Sequence, residues 1–381
     1  MEKRTFAIGN IRPPFHANSL LLQVTENCTW NRCNFCTLYR GGQFKMRSAE
    51  DVKKDIDAVA YYRDKIFEKY DGKDFDMDKI MREYSSLSDD EKNCYAMVFN
   101  WIRSDKMKTV FLQDANTTSI RLDVITDILR HLRKTLPSLE VVSSYGRADT
   151  LTRLDADGFK ALKEAGLTMI HSGYESGCND VLKILNKGTT REQQIEAGQK
   201  IKQAGIDFNV FYMPGSGGKA LSERNAIETA DVINQIDPEY IRIRTFVVKP
   251  QTPMWEIAKG DDFQELTDIE KLQELVLMTE NLKGVNSYLI SDHIINLLPR
   301  FEGYINKDKE DMLRYAKEFL NLPKNKQMEF QLARRLCYNV DYNMMNYMPS
   351  EDMTQIRDVI RNISSPQEWE ELLRRYLRQY I

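Results

Sequence analysis

From Lys108 onward, short apolar runs alternate with stretches of helical periodicity, and nothing else in the chain restricts its architecture as strongly. Strands are predicted at 108–113, 139–143, 168–172, 207–213 and 240–245. Helices are predicted at 122–134, 156–165, 191–204 and 221–235. The apolar run Leu20–Thr25, followed by a helix opening at Ala49, adds one more unit, with Ser48 and Asp51 as a capping-box-like start. Six strands alternating with helices imply an α/β protein with a parallel sheet and helices outside it, as a barrel or a doubly wound sheet. Either architecture gathers its chemistry at the carboxyl ends of the strands. Residues 62–106 are rich in charge, Tyr and Met and read as helical. A βα unit does not require them, so they are an inserted helical cap or a solvated excursion. Beyond Asp261 the alternation stops, and 266–281, 307–319 and 351–376 read as helices. Two parts are therefore expected, a strand–helix part over 1–260 and a helical C-terminal region over 261–381.

Three of the six cysteines, Cys28, Cys33 and Cys36, fall within nine residues just after the first strand. Thiolates on one short loop suit a soft metal centre. A closed zinc site or an ordinary iron–sulfur cluster takes four protein ligands, so three would leave one corner open. The alternatives are a structural zinc site completed by His16 or a remote residue, three unligated thiols, and an iron–sulfur site. The other cysteines, Cys94, Cys178 and Cys337, are far apart and suggest no disulfide framework, which fits a reducing cytoplasm.

Composition narrows the function classes. With 42% hydrophobic and 29% charged residues among 381, the chain suits one large barrel plus an appendage. A net charge of -3 argues against a broad nonspecific nucleic-acid footprint. No run of 18 apolar residues occurs, so no membrane span is expected, and the start lacks the apolar core of a signal peptide. Residues 1–19, broken by Pro13-Pro14, read as irregular and leave no room for a separate domain ahead of the cysteines.

Polar residues cluster at the predicted strand ends. Gln113 and Asp114 offer acceptors to an ammonium group, although Asp114 and Asn116 also suit a turn and a helix cap. Ser144 would make a tight wall, and Arg147 could pair with a carboxylate or with Asp149. Read alone, Glu175 and Ser176 suit a capped helix start and Lys187 a solvated charge. Arg242 and Arg244 point the same way on a strand. The pair Asp292-His293 could be a proton donor, with the carboxylate orienting and charging the imidazole, or a structural hydrogen-bonder.

The loop Cys28-Thr-Trp-Asn-Arg-Cys33-Asn-Phe35-Cys36 and the run Gly173-Tyr-Glu175-Ser176-Gly177 with Lys187-Gly-Thr-Thr190 resemble the radical S-adenosylmethionine (radical SAM) superfamily. The second run is similar to that of the methylthiotransferases, Elongator-type enzymes and coproporphyrinogen dehydrogenase. The usual spacing is C-x-x-x-C-x-x-C, and this chain has one more residue between the first two cysteines. The resemblance covers roughly residues 18–255. It implies a partial (β/α)6 TIM-like barrel, open on one side, with a [4Fe–4S] cluster on Cys28, Cys33 and Cys36 whose fourth iron chelates SAM. Reductive cleavage of SAM would then give a 5′-deoxyadenosyl radical that abstracts hydrogen from substrate. Phe35, Gln113, Asp114, Ser144, Arg147, Glu175, Ser176, Lys187, Phe211 and Met213 become the expected SAM contacts. Tyr39, Arg242 and His293 become the candidate catalytic residues. A reducing partner such as flavodoxin or ferredoxin is implied. No second cysteine triad and no cobalamin-binding or methylthiotransferase-like extension is expected, which favours a small-molecule substrate. A tRNA-modifying enzyme and a non-catalytic zinc or iron–sulfur protein are the competing readings.

Overall fold

The computed structural model of the chain describes residues 4–9, 11–13, 16–336, 338 and 340–380; Pro14 of the expected breaker and Cys337 lie outside the described residues. The fold is α/β, built on a mostly parallel eight-stranded sheet whose strand order follows the chain. The strands are β1 (Leu20–Gln23), β2 (Thr109–Gln113), β3 (Val141–Tyr145), β4 (Met169–Glu175), β5 (Asp207–Tyr212), β6 (Tyr240–Ile243), β7 (Tyr288–Ile290) and β8 (Gly303–Tyr304). Parallel pairing joins β1 to β2, β2 to β3, β3 to β4, β5 to β6 and β6 to β7, while β7 and β8 run antiparallel. The first six strands coincide with the predicted ones. The last two were not legible, because two or three residues carry no alternation to read.

Two compact units divide the chain, and two strands cross the division. The first comprises Met1–Asn31, Gly41–Ser172 and Lys200–Phe208. Its register sets Leu20 beside Val110 and Phe111 beside Ser143, so the apolar runs of β1 and β2 are wholly buried. The excursion after the first helix (Ala49–Phe67) forms two more, Met77–Ser86 and Asp89–Asp105. It is not merely a solvated loop. Tyr95 and Trp101 are each 1% exposed, and the Trp101 indole N–H donates to the Thr109 carbonyl at 2.8 Å. His16 is fully buried here. Its Nε2 lies 3.0 Å from His171 Nε2 and 2.9 Å from Ser143 Oγ, and its Nδ1 lies 2.8 Å from Ser19 Oγ. Both ring nitrogens of His16 are engaged inside this unit.

The second unit comprises Arg32–Arg40, Gly173–Gln199 and Asn209–Ile381. Its helix Gly218–Ile236 packs on the helix Asp268–Glu280. Glu274 on the latter is buried and accepts from Tyr212 OH, Gly215 N, Ser222 Oγ and Asn225 Nδ2, all at 2.6–2.9 Å. Burial nevertheless pushes its carboxyl pKa up. The long helix expected over 351–376 is two, Ser350–Arg361 and Pro366–Leu377. Pro366 cannot continue a helix interior but suits a first turn, and Ser365 Oγ accepts from Glu368 N to cap it. Helices also cover Ile305–Leu320 and Lys324–Arg335. Among the described residues no helix is long and apolar enough to cross a membrane.

Candidate functional site

The cysteine loop is shaped by its asparagines. Asn27 and Asn31 adopt left-handed backbone angles, φ 65° and 49°, which asparagine tolerates better than most residues. Their side chains donate to the carbonyls of Gln43 (2.8 Å) and Gly42 (2.9 Å), which ties the first half of the loop inside the first unit. In the second unit Asn34 anchors the other half. Its N–H donates to the Leu185 carbonyl and its Nδ2 to the Ile184 carbonyl, while its own carbonyl accepts from Met254 N. Arg40 spans the two cysteines by donating to the carbonyls of Cys33 (2.7 Å) and Cys36 (3.0 Å). Cys28 belongs to the first unit and Cys33 and Cys36 to the second. None of the three is in a disulfide. Among the described residues no three His, Cys, Asp or Glu side chains form a preassembled ligand group.

In the first unit, the residues past β2 and β3 form one network. Gln113 is fully buried, but its carboxamide is taken by the N-terminal segment: Oε1 accepts from Gly9 N, and Nε2 donates to the carbonyls of Gly9 and Ile11. Asp114 is 2% exposed, and its N–H donates to Thr25 Oγ1. Asn116 is the hub. Its Nδ2 donates to Thr29 Oγ1 in the cysteine loop, and its Oδ1 accepts from Arg147 N and Thr150 Oγ1. Arg147 pairs with Asp149 at 2.9 Å and lies 5.6 Å from the Trp30 ring centre, so it holds the loop aromatic and the structural ion pair together. Ser144 is fully buried, and its Oγ has no hydrogen-bond partner among the described residues.

In the second unit, β4 ends at Glu175, whose φ of 65° turns the chain sharply. The Glu175 carboxylate pairs with Lys187 Nζ at 2.9 Å, and both side chains are about nine-tenths buried. The Glu175 carbonyl accepts from Met213 N, which joins the ends of β4 and β5. Lys187 also lies 5.9 Å from the Phe35 ring centre. Phe35 packs with Met213, Phe246, Val248 and Cys178, so Cys178 is core and not a ligand. Ser176 donates to Asn225 Oδ1 at 2.5 Å and accepts from Cys178 N at 2.9 Å, which closes the turn ahead of the helix Asn179–Ile184 and ties it to the Glu274 network. Phe211 lies on β5 beside Arg242. Tyr39 is buried just past the third cysteine.

The far side of this unit corrects one expectation. Asp292 does not orient His293. It accepts from Arg242 Nη1 through both oxygens at 2.7 Å, while Ile295 N donates to His293 Nδ1 at 3.4 Å. The reason is register: Arg242 stands beside Ile290, so Asp292 starts just past the end of β7 within reach of the guanidinium. Burial and the charges of Arg244, Arg242 and Lys249 then lower the His293 pKa to about 4, so the imidazole is neutral rather than charged. Burial, with Arg244 behind it, likewise lowers Lys249 to about 8. Arg244 and Lys249 line a recess with Phe35, Cys36, Met213 and Phe246. The importance of Asn34, Asn116 and Lys249 was not legible beforehand; the repeated asparagines around the cysteines were the available signal.

These residues fit the implied cofactors. The donor set is three thiols, which suits an iron–sulfur cluster. The unpartnered hydroxyl of Ser144 suits a polar cofactor wall. The model of the radical SAM superfamily matches residues 22–228, and the chain belongs to that superfamily. Its members are enzymes that use a [4Fe–4S] cluster and SAM. The chain is 21% identical over 190 residues to the heme chaperone HemW of Bacillus subtilis (strain 168), covering 49% of each chain. It is 28% identical over 142 residues to a tRNA-2-methylthio-N(6)-dimethylallyladenosine synthase of Desulforamulus reducens, covering 36% of this chain and 30% of that one. It spans half or less of the length of these relatives. Coproporphyrinogen III oxidase (HemN) from Escherichia coli, whose structure is described as that of a radical SAM enzyme, aligns over 72% of this chain and 78% of its own at 11% identity and a TM-score of 0.40.

Proposed function

We propose that the chain cleaves SAM reductively and uses the product radical to abstract hydrogen from a small molecule. The observation that carries this reading is the recess in which Cys36 stands beside Phe35 and Met213, with two cations on its wall. Cys28, Cys33 and Cys36 would hold the [4Fe–4S] cluster, and the cluster with SAM would supply the radical chemistry. The chain's own residues do the rest. Asn27 and Asn31 anchor the first half of the cysteine loop, and Asn34 and Arg40 the second. Glu175, held rigid by Lys187, offers the acceptor pair for a ribose diol. Met213 and Phe35 offer apolar faces to an adenine, with Phe211, two residues before Met213, on β5. Ser144 and Asp114 are the buried polar groups for the amino-acid end of SAM, Gln113 holds the N-terminal segment, and Ser176 holds the turn after Glu175. Arg242, Tyr39 and His293 are the residues assigned to the substrate, with His293 neutral and able to hydrogen-bond it. Residues 1–260 would carry the cofactors and 261–381 the remaining substrate contacts. A flavodoxin or ferredoxin in a reducing cytoplasm would supply the electron.

The test is anaerobic reconstitution with iron and sulfide, then EPR of the reduced protein with and without SAM. A [4Fe–4S]⁺ signal that shifts with SAM and is lost in Cys33→Ala supports the reading, as does slow release of 5′-deoxyadenosine. Stoichiometric zinc with no SAM effect sinks it. One of the proteins named as similar is a tRNA-2-methylthio-N(6)-dimethylallyladenosine synthase, and tRNA is the second reading for the substrate. It predicts tight tRNA binding that weakens steeply with salt.

A further inference from the structure

The cations beyond β6 are unequally satisfied. Arg242 is 2% exposed and neutralised by Asp292 through two 2.7 Å contacts. Arg244 and Lys249, both half-buried, have no ion-pair or hydrogen-bond partner for their side chains among the described residues. They face one shallow recess of about 50 Å³, and no Asp or Glu is among the described residues that line it. The rest of its wall is mostly apolar, including Phe35, Met213, Phe246 and Val247. Holding two like charges partly out of water raises the free energy of the fold, and surface cations ordinarily avoid this by pairing or by pointing into solvent. The Asp292 carboxylate is bound to Arg242. Burial and these charges also hold the His293 imidazole neutral, so it adds no third cation. Such a wall is complementary to a negative group on an apolar body. A guanidinium fork with an ammonium beside it is suited to a carboxylate or a phosphate.

We propose that Arg244 and Lys249 bind the anionic group, a carboxylate or a phosphate, of the small molecule on which this site acts, and that the apolar part of that molecule meets Phe246 and Val247. The inference rests on the radical SAM reading for the identity of the site, but its test does not depend on turnover. The reconstituted protein is titrated calorimetrically with hexanoate, hexyl phosphate and the neutral probe hexanol, with and without SAM. Hexanoate or hexyl phosphate binds at least tenfold more tightly than hexanol, and the tighter of the two identifies the head group. Arg244→Gln and Lys249→Gln each weaken the anion at least fivefold and leave hexanol unchanged, while the exposed control Lys160→Gln changes neither. Circular dichroism confirms that each variant is folded. Equal affinity for hexanol and the anions, or anion binding unchanged in both variants, overturns the proposal. So does a tenfold loss of SAM affinity in both variants without anion binding, which would assign the cations to the cofactor's own carboxylate. Tight binding of tRNA that is lost in both variants overturns it in favour of a nucleic-acid phosphate. Failure of SAM to shift the EPR signal in the unaltered protein, with anion binding intact, instead counts against the radical reading alone.

Discussion

Gly177 closes the Gly-Tyr-Glu-Ser-Gly turn against the helix Gly218–Ile236, and the space for a side chain there is nil. A Cβ at this position would lie 2.6 Å from the Glu228 carbonyl oxygen, 2.6 Å from the Thr229 Cα and 2.9 Å from Val232 Cγ2. Ordinary contacts begin near 3.4 Å, so Gly177→Ala requires a separation of 3.4 − 2.6 = 0.8 Å between turn and helix. Two of the three obstructing atoms are backbone and cannot rotate away. The same movement strains the hydrogen bond from Gly177 N to Thr229 Oγ1, now 2.7 Å. Overpacking of this kind costs about 1–3 kcal/mol, and a backbone obstacle places the change at the upper end. At about 2 °C per kcal/mol for a large chain, the melting midpoint should fall by roughly 6 °C. Gly260→Ala is the control, because its Cβ would meet only the Ile257 carbonyl at 3.5 Å. Gly173→Ala is the intermediate case. Its Cβ would lie 2.2 Å from Glu175 Oε1, a side-chain end that can swing aside, but only by leaving Lys187. Its main effect should be on SAM affinity. Thermal melts followed by circular dichroism should therefore rank Gly177→Ala below Gly173→Ala below Gly260→Ala. A Gly177→Ala protein that melts within 1 °C of Gly260→Ala would refute the account of how this turn is held.

The buried Glu175–Lys187 pair predicts that Glu175→Ala alone destabilises by about 3 kcal/mol, since it strands the Lys187 charge, and that adding Lys187→Met recovers more than 1 kcal/mol; a double-mutant cycle by urea unfolding measures this. His293 titrates near 4 in the folded chain and near 6.5 unfolded, so the unfolded state binds the extra proton between those values. Stability therefore falls as pH drops from about 6.5 towards 4, by at most about 3 kcal/mol from this group, and His293→Gln should flatten that limb of a pH series of denaturation midpoints. Asn34→Ala removes the bond to the Ile184 carbonyl, worth about 1 kcal/mol, but frees the loop bearing Cys33 and Cys36. The iron bound after reconstitution should drop below half that of the unaltered protein while the melting midpoint falls by only about 2 °C; full iron loading would remove Asn34 from the loop-positioning role.

Local pattern was enough to reveal the strand–helix alternation, the cysteine loop and the turn after β4. Each is encoded within a few consecutive residues: an apolar run of four to six, three cysteines in nine, a Gly-Tyr-Glu-Ser-Gly segment that only a tight turn accommodates. The helix Ala156–Ala165 matches its predicted span because Asp155 caps it and Gly166 ends it in the left-handed region. What the tertiary structure alone decided is which polar group meets which. Gln113 looks like a ligand-facing acceptor from its place after a strand, yet the N-terminal segment, a hundred residues away in sequence, takes its whole carboxamide. Asp292 adjoins His293 in the chain but bonds Arg242, fifty residues earlier, because β6 and β7 lie side by side in register. With that carboxylate engaged, Arg244 and Lys249 are left facing an apolar recess without a counter-charge. Hydrophobic periodicity is a property of neighbours along the chain. Charge pairing is a property of neighbours in space, and strand register, which no short stretch of sequence specifies, chooses them.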